Sequence, residues 1–92
     1  MKTQLTIDHA AIQRWVEARG GQPATKAGTA PAGESVGILR VRFPETNSER
    51  VDVVTWEEFF AKFEEKALAF VLRERTRDGQ LSRYCRFVRR EK

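Results

Sequence analysis

The sequence contains very few residues that bind metals or act as nucleophiles. It has one cysteine, Cys85, and one histidine, His9, in 92 residues. A single cysteine excludes an internal disulfide and a thiolate metal site, and a lone histidine needs convergent carboxylates before it can hold a metal. We therefore expect no metal, no cofactor and no catalytic residue, and a reducing, cytoplasmic compartment.

Long hydrophobic runs are also missing. No apolar stretch approaches the ~20 residues that a membrane-spanning helix needs. Residues 1–9, MKTQLTIDH, include a lysine but no apolar core, so we expect no signal peptide. The length indicates one small domain over residues 1–92.

Positive charge is present, and it is unevenly distributed. The net charge is +4; residues 67–92 carry eight Lys and Arg against three Asp and Glu, whereas residues 1–66 carry nine against ten. An anionic partner should therefore be attracted by the last quarter of the chain, whose final residues 90–92 form a basic tail.

Two amphipathic helices are predicted. The first spans residues 8–19, with Asp8 as its N-cap and Gly20 as its terminator. In the second, Thr55 and Glu58 have the spacing of a capping box. Its aromatic residues recur at helical spacing and predict a buried face: Trp56, Phe59, Phe60 and Phe63.

Residues 20–35, rich in Gly, Ala, Thr and Pro, are predicted to form a long irregular connection. A phosphate-binding loop is the alternative, suggested by Lys26 and the glycines. However, a phosphate loop joins a strand to a helix N-terminus, and this segment follows a helix. A connection between two elements is therefore the preferred interpretation.

Two β-hairpins complete the prediction. Residues 36–43 and 51–54 alternate as paired strands, and residues 68–75 and 82–89 flank the turn signal Asp78-Gly79. A two-residue turn there predicts the pairs Phe70–Phe87, Leu72–Cys85 and Glu74–Arg83. The predicted fold class is α+β and two-layer, in the order α-β-β-α-β-β, with both helices on one face of an antiparallel sheet.

The opposite face of that sheet is predicted to be rich in arginine. One aromatic residue joins five arginines there: Arg40, Arg42, Arg73, Arg75, Tyr84 and Arg86. Guanidinium groups that follow phosphates, beside an aromatic ring that stacks on a base, are typical of proteins that bind single-stranded nucleic acid. A solvated polar face explains the same pattern, because an uncovered sheet face must be polar.

The blocks IQRWVEARGGQPA, VGILRVRFP, VTWEEFFAKFEEKALAFVL and DGQLSRYCRFVRR occur in this order along most of the chain. They resemble a family of small uncharacterised bacterial proteins with the pattern RWxExRGGxPA, GxLRxxFP and TWxEFFxKFE. Some members carry a "1,4-alpha-glucan branching" name. That activity depends on a (β/α)8 barrel of about 250 residues. The resemblance therefore supports the element boundaries and implies no active-site residues.

The resulting functional hypothesis is a small non-enzymatic binding or adaptor module. Its partner would be another protein or a second copy of the chain. We expect no interaction with a membrane. A nucleic-acid-binding domain that uses the arginine-rich face is the alternative. An enzyme would need a pocket that brings His9 or Cys85 together with a carboxylate.

Overall fold

The computed structural model describes residues 3–44 and 50–90 and confirms the α+β class. The bounds of its elements are β1 Thr3–Thr6, α1 His9–Ala18, β2 Gln22–Lys26, β3 Leu39–Arg42, β4 Val51–Val53, α2 Trp56–Glu65, β5 Leu68–Arg73 and β6 Cys85–Arg89. The strands form two three-stranded antiparallel sheets. We call β1-β5-β6 the first sheet and β3-β2-β4 the second sheet.

Both helices begin where their capping residues predict. The Asp8 carboxylate accepts a hydrogen bond from the backbone N–H of Ala10 at 3.1 Å. Thr55 and Glu58 form the reciprocal capping box, with both backbone-to-side-chain distances at 3.0 Å. These bonds satisfy N–H groups that have no partner inside the helix. The bond from the Thr55 N–H also holds the pKa of the Glu58 carboxyl below its ordinary value.

Residues 20–35 are not wholly irregular, because Gln22–Lys26 form β2, the central strand of the second sheet. Pro23 and Ala24 are weak strand formers, so local propensity does not reveal this strand. Proline has no N–H to donate to a neighbouring strand. Pairing with β4 starts only at Ala24, so Pro23 lies at the end of that ladder, where strands tolerate proline. Gln22–Lys26 therefore form a strand because they are buried against the helices, and not because of their local sequence.

The predicted pairing of β3 with β4 is wrong, since β2 lies between them. Ala24 is opposite Arg40 of β3 on one side and Val53 of β4 on the other. The predicted order also lacks β1, which pairs with β5 from Thr3–Arg73 to Thr6–Phe70. As a result, the described residues form six strands in two sheets, where four strands in one sheet were expected.

The hairpin of β5 and β6 has the predicted register, with Phe70 opposite Phe87 and Leu72 opposite Cys85. Its loop is one residue longer than predicted: Thr76 and Gln80 close it, and Gly79 adopts a φ of 84°. An extra residue on the returning chain restores the register, as in a bulge.

The predicted pair Glu74–Arg83 does not form, because of this extra residue. The Ser82 N–H donates to the Glu74 carbonyl at 3.1 Å, and the Arg73 N–H donates to the Tyr84 carbonyl at 3.3 Å. Between these two hydrogen bonds the chain advances one residue on β5 and two on the returning side. Arg83 is therefore the bulged residue.

One hydrophobic core lies under both sheets. Phe59 and Phe63 of α2 and Phe70 of β5 are fully buried, and Leu39 of β3 is nearly so. Trp56 and Phe60, which complete the predicted aromatic face, are partly buried against the same cluster. Since each sheet contributes to this cluster, both sheets pack against α2.

Candidate functional site

The six predicted surface residues do not share one sheet face. Arg40 and Arg42 lie on β3 of the second sheet, whereas Arg73 and Arg86 lie on the first sheet. Arg75 and Tyr84 lie in the part of the hairpin beyond the paired strands. The single arginine-rich face expected from the alternation of residues is therefore divided between two sheets.

Five of these six residues make contacts within the protein. Arg40 donates to the Leu39 carbonyl at 3.0 Å, and Arg42 donates to the Gln22 side-chain oxygen at 3.3 Å. The Arg73 guanidinium lies 4.4 Å from the centre of the Tyr84 ring and donates to the Thr3 hydroxyl at 3.0 Å. Arg75 donates to the Gly79 carbonyl at 3.0 Å and so braces the hairpin loop. Because a guanidinium already covers the Tyr84 ring, that face of the ring is not open to a stacked base.

Arg40 and Arg86 meet at a cleft between the edge strands β3 and β6. This cleft, which we call the basic cleft, has a volume of about 720 Å³. That is within the roughly 300–1,000 Å³ typical of ligand pockets. It is lined by residues from both edges, from the end of α2 and from the loop before β3.

The floor of the basic cleft is apolar and its rim is cationic. The floor is lined by Leu39, Val41, Phe43, Leu68, Cys85 and Phe87. The rim is lined by Arg40, Lys62, Lys66, Arg83, Arg86 and Arg89. In the described part of the chain no carboxylate lines this cleft, so its electrostatic potential is positive.

The rim cations differ in what they contact. The Lys62 ammonium is buried and donates to Glu34 at 2.5 Å and to Glu65 at 3.3 Å. The hydrogen bond with Glu34 raises the pKa of Lys62. Within residues 3–44 and 50–90, no ion pair engages Lys66, Arg86 or Arg89. These three are the cations best placed to pair with an incoming anion.

Only two members of the rim, Arg40 and Arg86, are among the residues predicted from the sequence. Lys62, Lys66, Arg83 and Arg89 come from three other places in the chain, and no local pattern links them. The cleft exists because β2 separates β3 from β4 and leaves the other edge of β3 facing β6. The cleft could have been predicted only if Gln22–Lys26 had been recognised as a strand.

Cys85 lies on the cleft floor opposite Leu72, as its register predicts. Burial raises the pKa of its thiol to about 12, and the nearby charge of Arg19 only partly opposes this effect. A thiol that keeps its proton is a poor nucleophile. The geometry at Cys85 is therefore that of a packing residue.

The raised pKa makes stability depend on alkaline pH. In the unfolded chain the thiol ionises near its ordinary value of 9.0, whereas the folded protein keeps the proton up to about 12. The contribution is complete below pH 9.0 and is lost as the pH rises to about 12. Urea titrations across this range should show the wild type losing stability relative to Cys85→Ala. Parallel pH profiles for the two proteins would contradict this.

His9 packs against α2. Its ring stacks on Phe60 with centroids 4.1 Å apart, and Nε2 lies 2.7 Å from Glu64 Oε2, which also accepts from Arg90 at 2.7 Å. The bond from Arg90, followed by that from His9, holds the pKa of Glu64 below its ordinary value. The histidine thus has a carboxylate neighbour, which its sequence context did not indicate. Over the described ranges, no three metal-ligating side chains converge.

Two amide groups of the loop before β3 donate to side-chain hydroxyls of the protein itself. The Gly37 N–H donates to the Thr25 hydroxyl at 2.8 Å, and the Ile38 N–H donates to the Thr29 hydroxyl at 3.0 Å. Both hydroxyls in turn donate to backbone carbonyls of the same loop and strand. These bonds fix the position of β3, and these two amides are not available to a phosphate.

Within the described ranges, neither helix is long and apolar enough to cross a bilayer. Comparison with family models, curated proteins and solved structures gave no match. The family resemblance of the four sequence blocks therefore stays a prediction. The basic cleft is the feature of the protein that indicates a function.

Proposed function

We propose that this protein is a small non-enzymatic binding module of the cytoplasm, and that the basic cleft is its binding site for an acidic segment of a partner protein. The observation that carries the proposal is the combination of an apolar floor with a rim of cations and no described carboxylate. Such a site suits a ligand that carries both apolar groups and negative charges.

The nucleic-acid alternative uses the same positive potential but needs different contacts. In the sequence, this alternative was suggested by an aromatic residue, Tyr84, among arginines. In the structure the Arg73 guanidinium covers one face of the Tyr84 ring. Of the two aromatic rings on the floor of the cleft, Phe43 is buried and Phe87 is half-buried, whereas single-stranded nucleic acids bind to exposed aromatic platforms. These features favour a peptide over a nucleic acid.

The test uses two fluorescein-labelled probes, an acidic peptide of alternating glutamate and valine and a single-stranded oligothymidylate. We expect the peptide to bind more tightly in fluorescence anisotropy. Arg86→Glu/Arg89→Glu should weaken peptide binding by at least about tenfold, since each lost charge contact is worth on the order of 1 kcal/mol. Arg14→Glu, an exposed change on α1 outside the cleft, is the control, and it is matched to Arg86→Glu alone because each changes the net charge by two.

Three results would count against the proposed function. Tighter binding of the oligothymidylate, with affinity falling by about 0.7 log units per decade of salt for each phosphate contacted, would replace the proposal with the nucleic-acid alternative. An equal effect of Arg14→Glu would show that net charge acts without the cleft. Failure of both probes to bind would overturn the cleft as a binding site.

A further inference from the structure

The two walls of the basic cleft are unpaired strand edges. β3 is the end strand of the second sheet and β6 is the end strand of the first sheet. Among the described strands, each of the two pairs with one neighbour only. An exposed edge with unused backbone groups is a template for a further strand.

The hydrogen-bond pattern shows which residues of β3 present these groups. Successive residues of an antiparallel strand direct their N–H and C=O alternately to the two sides. The Lys26 N–H donates to the Ile38 carbonyl at 2.8 Å, so Arg40, two residues along, also bonds with β2. Leu39 and Val41 therefore direct their backbone groups away from β2, and both line the cleft. The Leu39 carbonyl accepts a hydrogen bond from the Arg40 guanidinium at 3.0 Å, which an added strand would have to replace.

The backbone groups of β6 alternate between its two sides in the same way. The Arg90 N–H donates to the Ala67 carbonyl at 2.8 Å, so the even-numbered residues of β6 bond with β5. Cys85, Phe87 and Arg89 direct their backbone groups to the other side, and all three line the cleft. Two rows of outward backbone donors and acceptors thus border the same space.

Side chains separate by polarity along Leu39 to Val41 and along Cys85 to Phe87, and the exposed Arg89 follows on the same face as Phe87. Leu39 belongs to the core cluster, and Val41, Cys85 and Phe87 pack against it. Arg40 and Arg86, the intervening residues, project from the opposite faces of their sheets. A strand laid between these edges would place every second side chain over the apolar floor and the others beside the arginines.

We propose that the basic cleft binds its partner by strand addition, as an extended segment of alternating apolar and acidic residues that pairs with both β3 and β6. This inference rests on the proposed function and adds the binding mode and the sequence pattern of the partner. Charge complementarity selects an acidic partner over a second copy of this chain, because a second copy would bring its own cationic rim into contact with the first.

The decisive experiment compares four unlabelled peptides as competitors of the labelled glutamate–valine peptide. The first has the parent sequence, and the second has the same composition with all glutamates before all valines. The third is N-methylated at every valine and the fourth at every glutamate, so that each loses the N–H groups facing one edge. We expect each of the last three to compete at least about tenfold less well than the parent, which corresponds to about 1.4 kcal/mol.

Amide hydrogen exchange by NMR gives an independent readout on the intact protein. On addition of the parent peptide, the amides of Val41 and Phe87 should exchange more slowly. The amide of Val88 already donates to β5, and its exchange should change little. An effect on only one of the two edges would overturn the bridging arrangement.

The outcomes separate this inference from the proposed function. If the parent and methylated peptides compete equally while Arg86→Glu/Arg89→Glu still weakens binding, the cleft binds acidic segments and strand addition is wrong. If no peptide binds, the proposed function fails as well. A stable dimer of the protein without peptide, dissociated by Arg86→Glu/Arg89→Glu, would show that a second copy occupies the cleft and would overturn the acidic partner.

Discussion

Phe70→Ala is expected to destabilise the protein by about 3–5 kcal/mol, the cost of truncating a fully buried phenylalanine. Phe70 is 0% exposed in the middle of β5, with its ring centroid 5.5 Å from that of Trp15 and 5.3 Å from that of Phe87. It therefore joins α1 to both paired strands. A domain of this size has only about 5–14 kcal/mol of stability, so the loss is a large share of the total.

Urea unfolding followed by tryptophan fluorescence measures this effect. The midpoint should fall with little change in the slope, because the same surface is exposed on unfolding. Tyr84→Ala is the matched control, since Tyr84 is 39% exposed and contacts mainly Arg73. Its loss should cost no more than about 1 kcal/mol. Equal midpoints for the two variants would show that Phe70 does not hold the core together.

Arg19→Met is expected to cost about 2–4 kcal/mol, because it removes the guanidinium that donates to three backbone carbonyls, of which only that of Glu74 also accepts from the Ser82 N–H. Arg19 is 5% exposed just after α1. Its guanidinium donates to the carbonyls of Trp15 and Glu74 at 2.8 Å and of Ser82 at 2.5 Å. One side chain thus ties the end of the helix to the bulge of the β5–β6 hairpin.

Arg19→Lys should recover little of this loss, since an ammonium cannot reproduce the planar fork that reaches all three carbonyls. Arg14→Met is the control, because Arg14 is exposed on the same helix and should change stability by less than about 0.5 kcal/mol. The same urea titration applies to all three variants. Wild-type stability in Arg19→Lys would mean that charge alone, without the hydrogen-bond geometry, holds the hairpin to the helix.

The sequence predicted those parts of the fold that have strong local signals. Asp8 and the Thr55–Glu58 box mark helix starts because capping is local chemistry. The register of Phe70 with Phe87 follows from apolar matching on one face, and it survived an error of one residue in the loop. In each case the information lies within a short stretch of chain.

The parts that were missed depend on distant contacts. β2 contains Pro23 and Ala24 and becomes a strand only between β3 and β4. Without that strand, the arginines of β3 and β6 appeared to share one face. The basic cleft could not be predicted for the same reason, since it lies between two edges whose neighbours were misassigned. Arg19 was predicted only as the last residue of α1, and its role as a buried donor was not foreseen.

The pairing of β1 with β5 has a consequence for how the chain reaches its native state. Thr3 lies opposite Arg73, and the Trp15 indole N–H donates to the carbonyl of the same residue at 3.1 Å. β1 and α1 thus find these partners 70 and 58 residues further along the sequence. Loops this long are slow to close, and domains dominated by such contacts fold in milliseconds to seconds. During synthesis, β1 and α1 cannot make these contacts until β5 has been made, and until then the apolar face of α1 stays uncovered.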